Sequence, residues 1–158
     1  MEINKTEAQF TMIDWWKKVV FNNYVNFTGR ARRAEFWYFY LMQIIINFAF
    51  MAFFFIFVAI GGAFSEPNSD LSPIAIVGFL FYGLIIIYSL ATFLPHLAVT
   101  VRRLHDINKS GWYYFISFIP IVGTILLIVW LATEGDSGKN NYGDNPKSQR
   151  NEINEIGR

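Results

Sequence analysis

Residues 36–64, 71–101 and 111–133 contain no Asp, Glu, Lys or Arg, although the chain is only 158 residues long. Each run exceeds the ~20 apolar residues that cross a ~30 Å hydrocarbon core as helix, and a charge at its centre would cost several kcal/mol. The fold class that follows is an all-α membrane protein. Three transmembrane helices are expected, at about residues 36–62, 74–100 and 112–132, preceded by an interfacial amphipathic helix.

Composition agrees, with 54% hydrophobic and 19% aromatic residues against 16% charged. The chain has no cysteine and only two histidines, His96 and His105, so neither a thiolate nor a histidine-rich metal centre is expected and no cofactor is indicated. The first 35 residues carry charges and amides throughout, so the first span is expected to act as a signal anchor rather than follow a cleaved leader.

Residues 1–10 read as a flexible start, 11–146 as a single membrane domain and 147–158 as a disordered polar tail. Met12, Ile13, Trp16, Val19, Val20 and Tyr24 recur at three- and four-residue spacing, as on one face of a helix. That helix could lie in the headgroup layer or pack on its own protein. Phe36, Trp37, Tyr38 and Tyr40 open the first span as an aromatic girdle, and Gln43 and Asn47 are its polar interruptions. Residues 65–72 form a turn-rich connection with two acids and no base.

Pro95 predicts a kink in the second span, with His96 bonded to a carbonyl that the proline frees. Pro120 and Gly123 interrupt the third. A bent crossing is the favoured reading there, and a re-entrant hairpin the alternative. Bases flank the first span at Arg30, Arg32 and Arg33 and fill the second loop at Arg102, Arg103 and Lys109. The positive-inside rule puts the amino terminus in the cytoplasm, and three crossings would leave the carboxyl terminus outside.

Charge and glycine concentrate in three boundary motifs: Gly29-Arg30-Ala31-Arg32-Arg33-Ala34-Glu35-Phe36-Trp37; Arg102-Arg103-Leu104-His105-Asp106 with Ser110-Gly111-Trp112; and residues 135–146. In this order the motifs resemble the YhaH-like bacterial inner-membrane domain of unknown function, over roughly residues 24–146. The resemblance implies a small multi-span protein of the bacterial cytoplasmic membrane with no settled activity. Its boundary residues carry over to Gly29, Arg30, Arg33, Glu35, Arg102, Arg103, His105, Asp106, Gly138, Asn140 and Gly143. Asn145 departs, standing before Pro146 where an Asp looks more typical.

Read physically, Gly29, Glu35, His105, Asp106 and Asn140 form a structural polar cluster in which Glu35 pairs with an arginine of the Arg102–Arg103 pair. Arg30, Arg32, Arg33, Arg102, Arg103 and Lys109 are candidates for lipid phosphates or an interface. His105-Asp106 invites an acid–base reading, but no nucleophile or metal signature accompanies it. The glycine-rich residues 135–146 lack the Lys-Ser/Thr ending of a phosphate loop. The arginines flank spans rather than interleave with stacking aromatics, so nucleic acid is not an expected partner.

The favoured function is a non-enzymatic membrane module. It binds anionic lipid, or a partner membrane protein or second copy. A small homo-oligomeric channel or transporter, and a membrane-embedded enzyme acting on lipid headgroups through Glu35, His105 and Asp106, are the alternatives.

Overall fold

The computed structural model describes residues 7–63 and 73–147. The expected outer loop at 65–72 and nearly all of the expected tail lie outside the described residues. A short 3-10 turn, Glu7–Gln9, precedes α1 (Met12–Lys17), whose first turn is closed by a reciprocal Thr11/Asp14 capping box. A π-helical turn, Lys18–Asn22, continues it. The two long helices are α2 (Arg33–Ala63) and α3 (Pro73–Asp106), and α4 is Val122–Ala132. The described residues contain no strand, only an isolated bridge between Asn140 and Gly143.

Helices α2 and α3 have apolar windows of mean hydropathy 2.6 and 2.2. Only 6% and 11% of those windows are buried, where a soluble protein's core helix would be largely enclosed. At 1.5 Å per residue, the 31 residues of α2 reach well beyond a ~30 Å hydrocarbon core. Helix α3 is unbroken through Pro95 and ends at Asp106, so Arg102 and Arg103 belong to its last turns rather than to a loop. Among the described residues no carbonyl is hydrogen-bonded to the His96 ring. Its ring lies against Phe39 and Tyr40, at 6.2 Å from each.

Two compact units divide the chain. Unit Leu41–Phe93 pairs the far part of α2 with the near part of α3. Phe81 stacks on Phe53 and Phe57, and a Cβ on Gly78 would stand 3.0 Å from a Val58 methyl, so the helices meet closely. Gln43, one of the expected polar interruptions, accepts from the Tyr88 hydroxyl through its side chain and from the Asn47 amide, at 2.8 Å, through its carbonyl.

The other unit, Met1–Tyr40 with Leu94–Arg158, holds a core of Val19, Ala31, Phe36, Phe39, Val99, Leu104, Leu127 and Leu131. Trp15 and Val19, one turn apart, are the buried positions of the first helix, while Ile13 and Tyr24 are exposed. The helix packs on its own protein, on a face rotated from the expected one. Phe36 also turns inward, leaving Trp37, Tyr38 and Tyr40 at the surface.

The single helix expected over 112–132 does not form. A 3-10 helix, Gly111–Phe118, is followed by a turn and then by α4. Pro120 offers no N–H to a helix, and Ile121 takes φ 64 and ψ −65 while the Val122 N–H bonds the Pro120 carbonyl at 2.7 Å. This is the positive-φ γ-turn, a strained conformation for a β-branched residue. The arms then run back along each other: the Tyr113 and Trp130 rings are 5.4 Å apart, and Lys109 lies over both. A Cβ on Gly123 would stand 1.8 Å from the Ile116 carbonyl oxygen, which makes glycine obligatory at the crossing. Residues 134–147 then return to the Arg30 loop.

Candidate functional site

The hairpin delivers the end of α4 to the end of α3, and the last carbonyls of a helix need donors. Arginines supply them. Arg103, fully buried, bonds the carbonyls of Leu131 (3.0 Å) and Thr133 and the Asp106 carboxylate (2.5 Å), spending one edge of its guanidinium on each. Arg33 reaches the Ala132 carbonyl at 3.4 Å. Cations also suit the negative end of the helix dipole.

Arg30, on the turn that Gly29 makes at φ 78, enters the same region from the amino-terminal side. Its Nε donates to Asp106 Oδ1 at 2.9 Å, and its terminal nitrogens donate to the carbonyls of Gly138 (2.6 Å), Asp136 (2.5 Å) and Gly143 (3.3 Å). Asp106 thus sits between two guanidinium groups, and its own carbonyl accepts from the Asp136 N–H at 2.9 Å. A Cβ on Gly135 would stand 2.0 Å from the Asp106 carboxylate. Only glycine lets residues 135–146 close like a strap over this pair.

A second centre forms around Glu35, whose side chain is 1% exposed. Arg102 approaches one carboxylate oxygen and Lys18 the other, each at 2.7 Å, and Lys18 is shared with Glu7. Arg32 binds Glu7 at 3.0 Å and the Pro146 carbonyl. Arg102 uses a single N–H on Glu35; among the described residues its Nε and second terminal nitrogen are buried without an acceptor, as is Trp16 Nε1. The Ala31 N–H also bonds the Arg102 carbonyl, at 3.0 Å, fixing the loop before α2 to the end of α3.

The third element is His105. Its Nδ1 lies 3.1 Å from the Gly29 carbonyl, its ring stacks on Tyr142 at 3.8 Å, and its carbonyl accepts from the Asn140 side chain at 2.9 Å. Asn145, the departure from the family pattern, donates to the Ser137 carbonyl and accepts from the Lys147 N–H, both at 2.8 Å. A carboxylate could not make the first of these bonds.

Gly29, Glu35, His105, Asp106 and Asn140 are therefore all in one polar assembly, but in separate roles. His105 does not meet Asp106, and each carboxylate is held between cations, so no acid–base couple is formed. Among the described residues no three His, Asp or Glu side chains are grouped as metal ligands. Of the six bases expected to meet lipid phosphates or an interface, Arg30, Arg102 and Arg103 are buried inside this polar assembly, which acts as a clamp. Arg33 is 46% exposed beside Glu134, and Lys109 lies over aromatic rings. Sequence reasoning missed Lys18, the second partner of Glu35, and Lys147, which with Arg33 faces Glu134. Lys147, 2.9 Å away, and then Arg33 hold the Glu134 carboxyl below its ordinary range.

Surface grooves of two kinds border the assembly among the described residues. One, of about 430 Å³, has walls of Phe10, Trp15, Ala34 and Tyr38 and carries Arg32, Arg33, Lys147 and Glu7. The other, of about 450 Å³, runs between α3 and the 3-10 arm and has no Lys, Arg, Asp or Glu among its lining residues.

A family model described as "Protein of unknown function (DUF805)" matches residues 24–144. Inner membrane protein YhaI of Escherichia coli (strain K12) is 39% identical over 132 residues, covering 84% of this chain and 95% of that protein. Inner membrane protein YhaH of the same strain is 36% identical over 135 residues, covering 85% of this chain and 98% of that protein. No solved structure matches. With two long apolar helices and this kinship, the chain is a protein of the bacterial inner membrane and belongs to the DUF805 family.

Proposed function

We propose that the chain is a non-enzymatic membrane module that holds an anionic lipid at the cytoplasmic leaflet, in the groove between α1 and the start of α2. The observation that carries this reading is the composition of that groove: aromatic walls at Phe10, Trp15 and Tyr38, and three bases against Glu7 on its rim. A phosphate headgroup meets the guanidinium groups of Arg32 and Arg33 and the Lys147 ammonium, and the glycerol and first methylenes lie on the rings. Arg30, Arg102 and Arg103 are buried, whereas Arg33 and Lys147 meet Glu134 at the surface, where a phosphate can compete for them.

The accompanying topology places the clamp, the amino terminus and the strap in the cytoplasm, on the side of the basic residues. The hairpin then dips into the bilayer. Eight residues of 3-10 helix rise about 16 Å, and eleven of α-helix about the same, so the tip reaches the middle of a ~30 Å core. Irregular backbone at that depth must satisfy its own polar groups. Ile119, Val122 and Gly123 bond their N–H groups within the turn, and Pro120 has none.

The test is native mass spectrometry of the full chain released from nanodiscs of phosphatidylethanolamine and phosphatidylglycerol. Each base contributes about 1 kcal/mol toward an anionic surface, so Arg33→Gln with Lys147→Gln should lower retained phosphatidylglycerol at least tenfold. Unchanged retention would overturn the reading. A stoichiometric co-purifying membrane protein without anionic lipid would transfer the function to partner binding.

A further inference from the structure

The second groove differs from the first in the chemistry it offers. Leu97, Val101 and His105 are spaced by four and so form one stripe down α3, and Phe27, Trp112 and Phe115 face them. Trp112 and Phe115 are themselves stacked, with ring centres 5.5 Å apart. No ammonium, guanidinium or carboxylate lines the groove, whereas three bases line its neighbour. A charged headgroup would find no counter-ion here and would lose its hydration.

The polar side-chain groups of the lining are those of His105, Ser110, Trp112 and Tyr114. His105 closes the groove at the level of the clamp, while Leu97 lies two turns deeper along α3, about 12 Å away. A carbonyl only accepts, so the His105 Nδ1 facing Gly29 carries the proton and Nε2 of the neutral ring is left as an acceptor. Among the described residues Nε2 has no protein partner, and it is not among the sealed, unsatisfied atoms. On the same lining, Ser110 Oγ accepts from the Trp112 N–H at 3.4 Å, which leaves its own O–H to donate. His105 and Ser110 thus offer one acceptor and one donor to an aromatic, uncharged groove whose α3 wall is apolar at Val101 and Leu97. The His105 ring is held in place by its stack on Tyr142, so the acceptor is preorganised.

We propose that this groove is a binding site for a neutral, ring-headed membrane lipid of the quinol class. A ring hydroxyl donates to His105 Nε2, the other ring oxygen accepts from Ser110, the ring lies between Phe27 and the Trp112–Phe115 pair, and the tail follows Val101 and Leu97 toward the bilayer. A phospholipid lacks the ring that the aromatic walls fit and brings a phosphate that the groove cannot neutralise. Its place is the other groove.

The test uses the full chain in nanodiscs, with decylubiquinol as probe and 1-decanol, which has the same tail length and no ring, as competitor. Saturable binding above empty nanodiscs is expected, with little displacement by 1-decanol. Leu97→Trp, which fills the deep end without touching the clamp, should abolish it. His105→Gln and Ser110→Ala should each weaken it about tenfold, the order of one hydrogen bond. Ser110→Ala keeps the assay decisive if His105→Gln fails to fold. Absence of saturation, equal displacement by 1-decanol, undiminished binding in Leu97→Trp, or full affinity in both polar variants would each overturn the assignment. Loss of phosphatidylglycerol in the Arg33 and Lys147 variants leaves this site intact, so the two proposals fail separately.

Discussion

Glu35 and Arg102 meet at 2.7 Å with side chains 1% and 4% exposed, joining the first turn of α2 to the last turns of α3. Removing one member of such a pair strands the other in a poorly solvated place and costs about 3–5 kcal/mol. Glu35→Gln should therefore be strongly destabilising, Arg102→Gln less so because Lys18 still holds one Glu35 oxygen, and their losses non-additive. Thermal unfolding in detergent reads this. The exchange Glu35→Arg with Arg102→Glu should recover part of the loss, and only part, because Lys18 then faces a like charge. The exchange with Arg103→Glu should recover nothing, since Arg103 serves Asp106.

Arg102 and Arg103 are neighbours in sequence and opposites in use. Arg102 spends one N–H on Glu35 and leaves two groups buried and unsatisfied, whereas Arg103 spends three nitrogens on three acceptors. Lysine can replace a point contact but not a fork. Arg102→Lys should leave unfolding unchanged or slightly later, and Arg103→Lys should cost about 2 kcal/mol or more through orphaned carbonyls. Equal effects would contradict the assigned geometry.

Glycines separate along the same lines. Gly123→Ala drives a methyl into the Ile116 carbonyl and Gly135→Ala one into the Asp106 carboxylate, so each should destabilise by about 1–3 kcal/mol or more. Gly83→Ala, in the middle of α3 with open space around it, should be neutral or should stabilise by up to about 1 kcal/mol. The three variants can be ranked in one thermal series.

Hydropathy made the two long helices legible, because a charge-free run of about 30 residues has few other uses. The polar cluster could be read from Glu35, the only acid between Asp14 and Glu66, placed next to an aromatic girdle. What stayed hidden depended on contacts distant in sequence. Pro120 and Gly123 mark an interruption that allows either a bent crossing or a re-entrant hairpin, and only the backbone of Ile121, at φ 64, decides for reversal. Lys18 stands in none of the boundary motifs; the signal that could have found it is that a buried carboxylate has two oxygens and Arg102 fills only one. Gly135 read as a loop glycine, and only the approach of Asp106 explains it. The helical wheel placed Ile13 inward and passed over Trp15, because burial there follows Lys18 toward Glu35 rather than the hydrophobic average.

The re-entrant hairpin is the central claim, and the chain's lack of cysteine makes single-cysteine accessibility the direct measurement. Lys17 and Lys139 are both exposed at the surface, one on the first helix and one on the strap. In intact cells, cysteines at both positions should resist a membrane-impermeant maleimide and react only after permeabilisation, while a cysteine at Ser69, between the long helices in sequence, should react at once. Labelling of Lys139→Cys in intact cells with Lys17→Cys protected would mean that the third segment crosses, and would contradict the account.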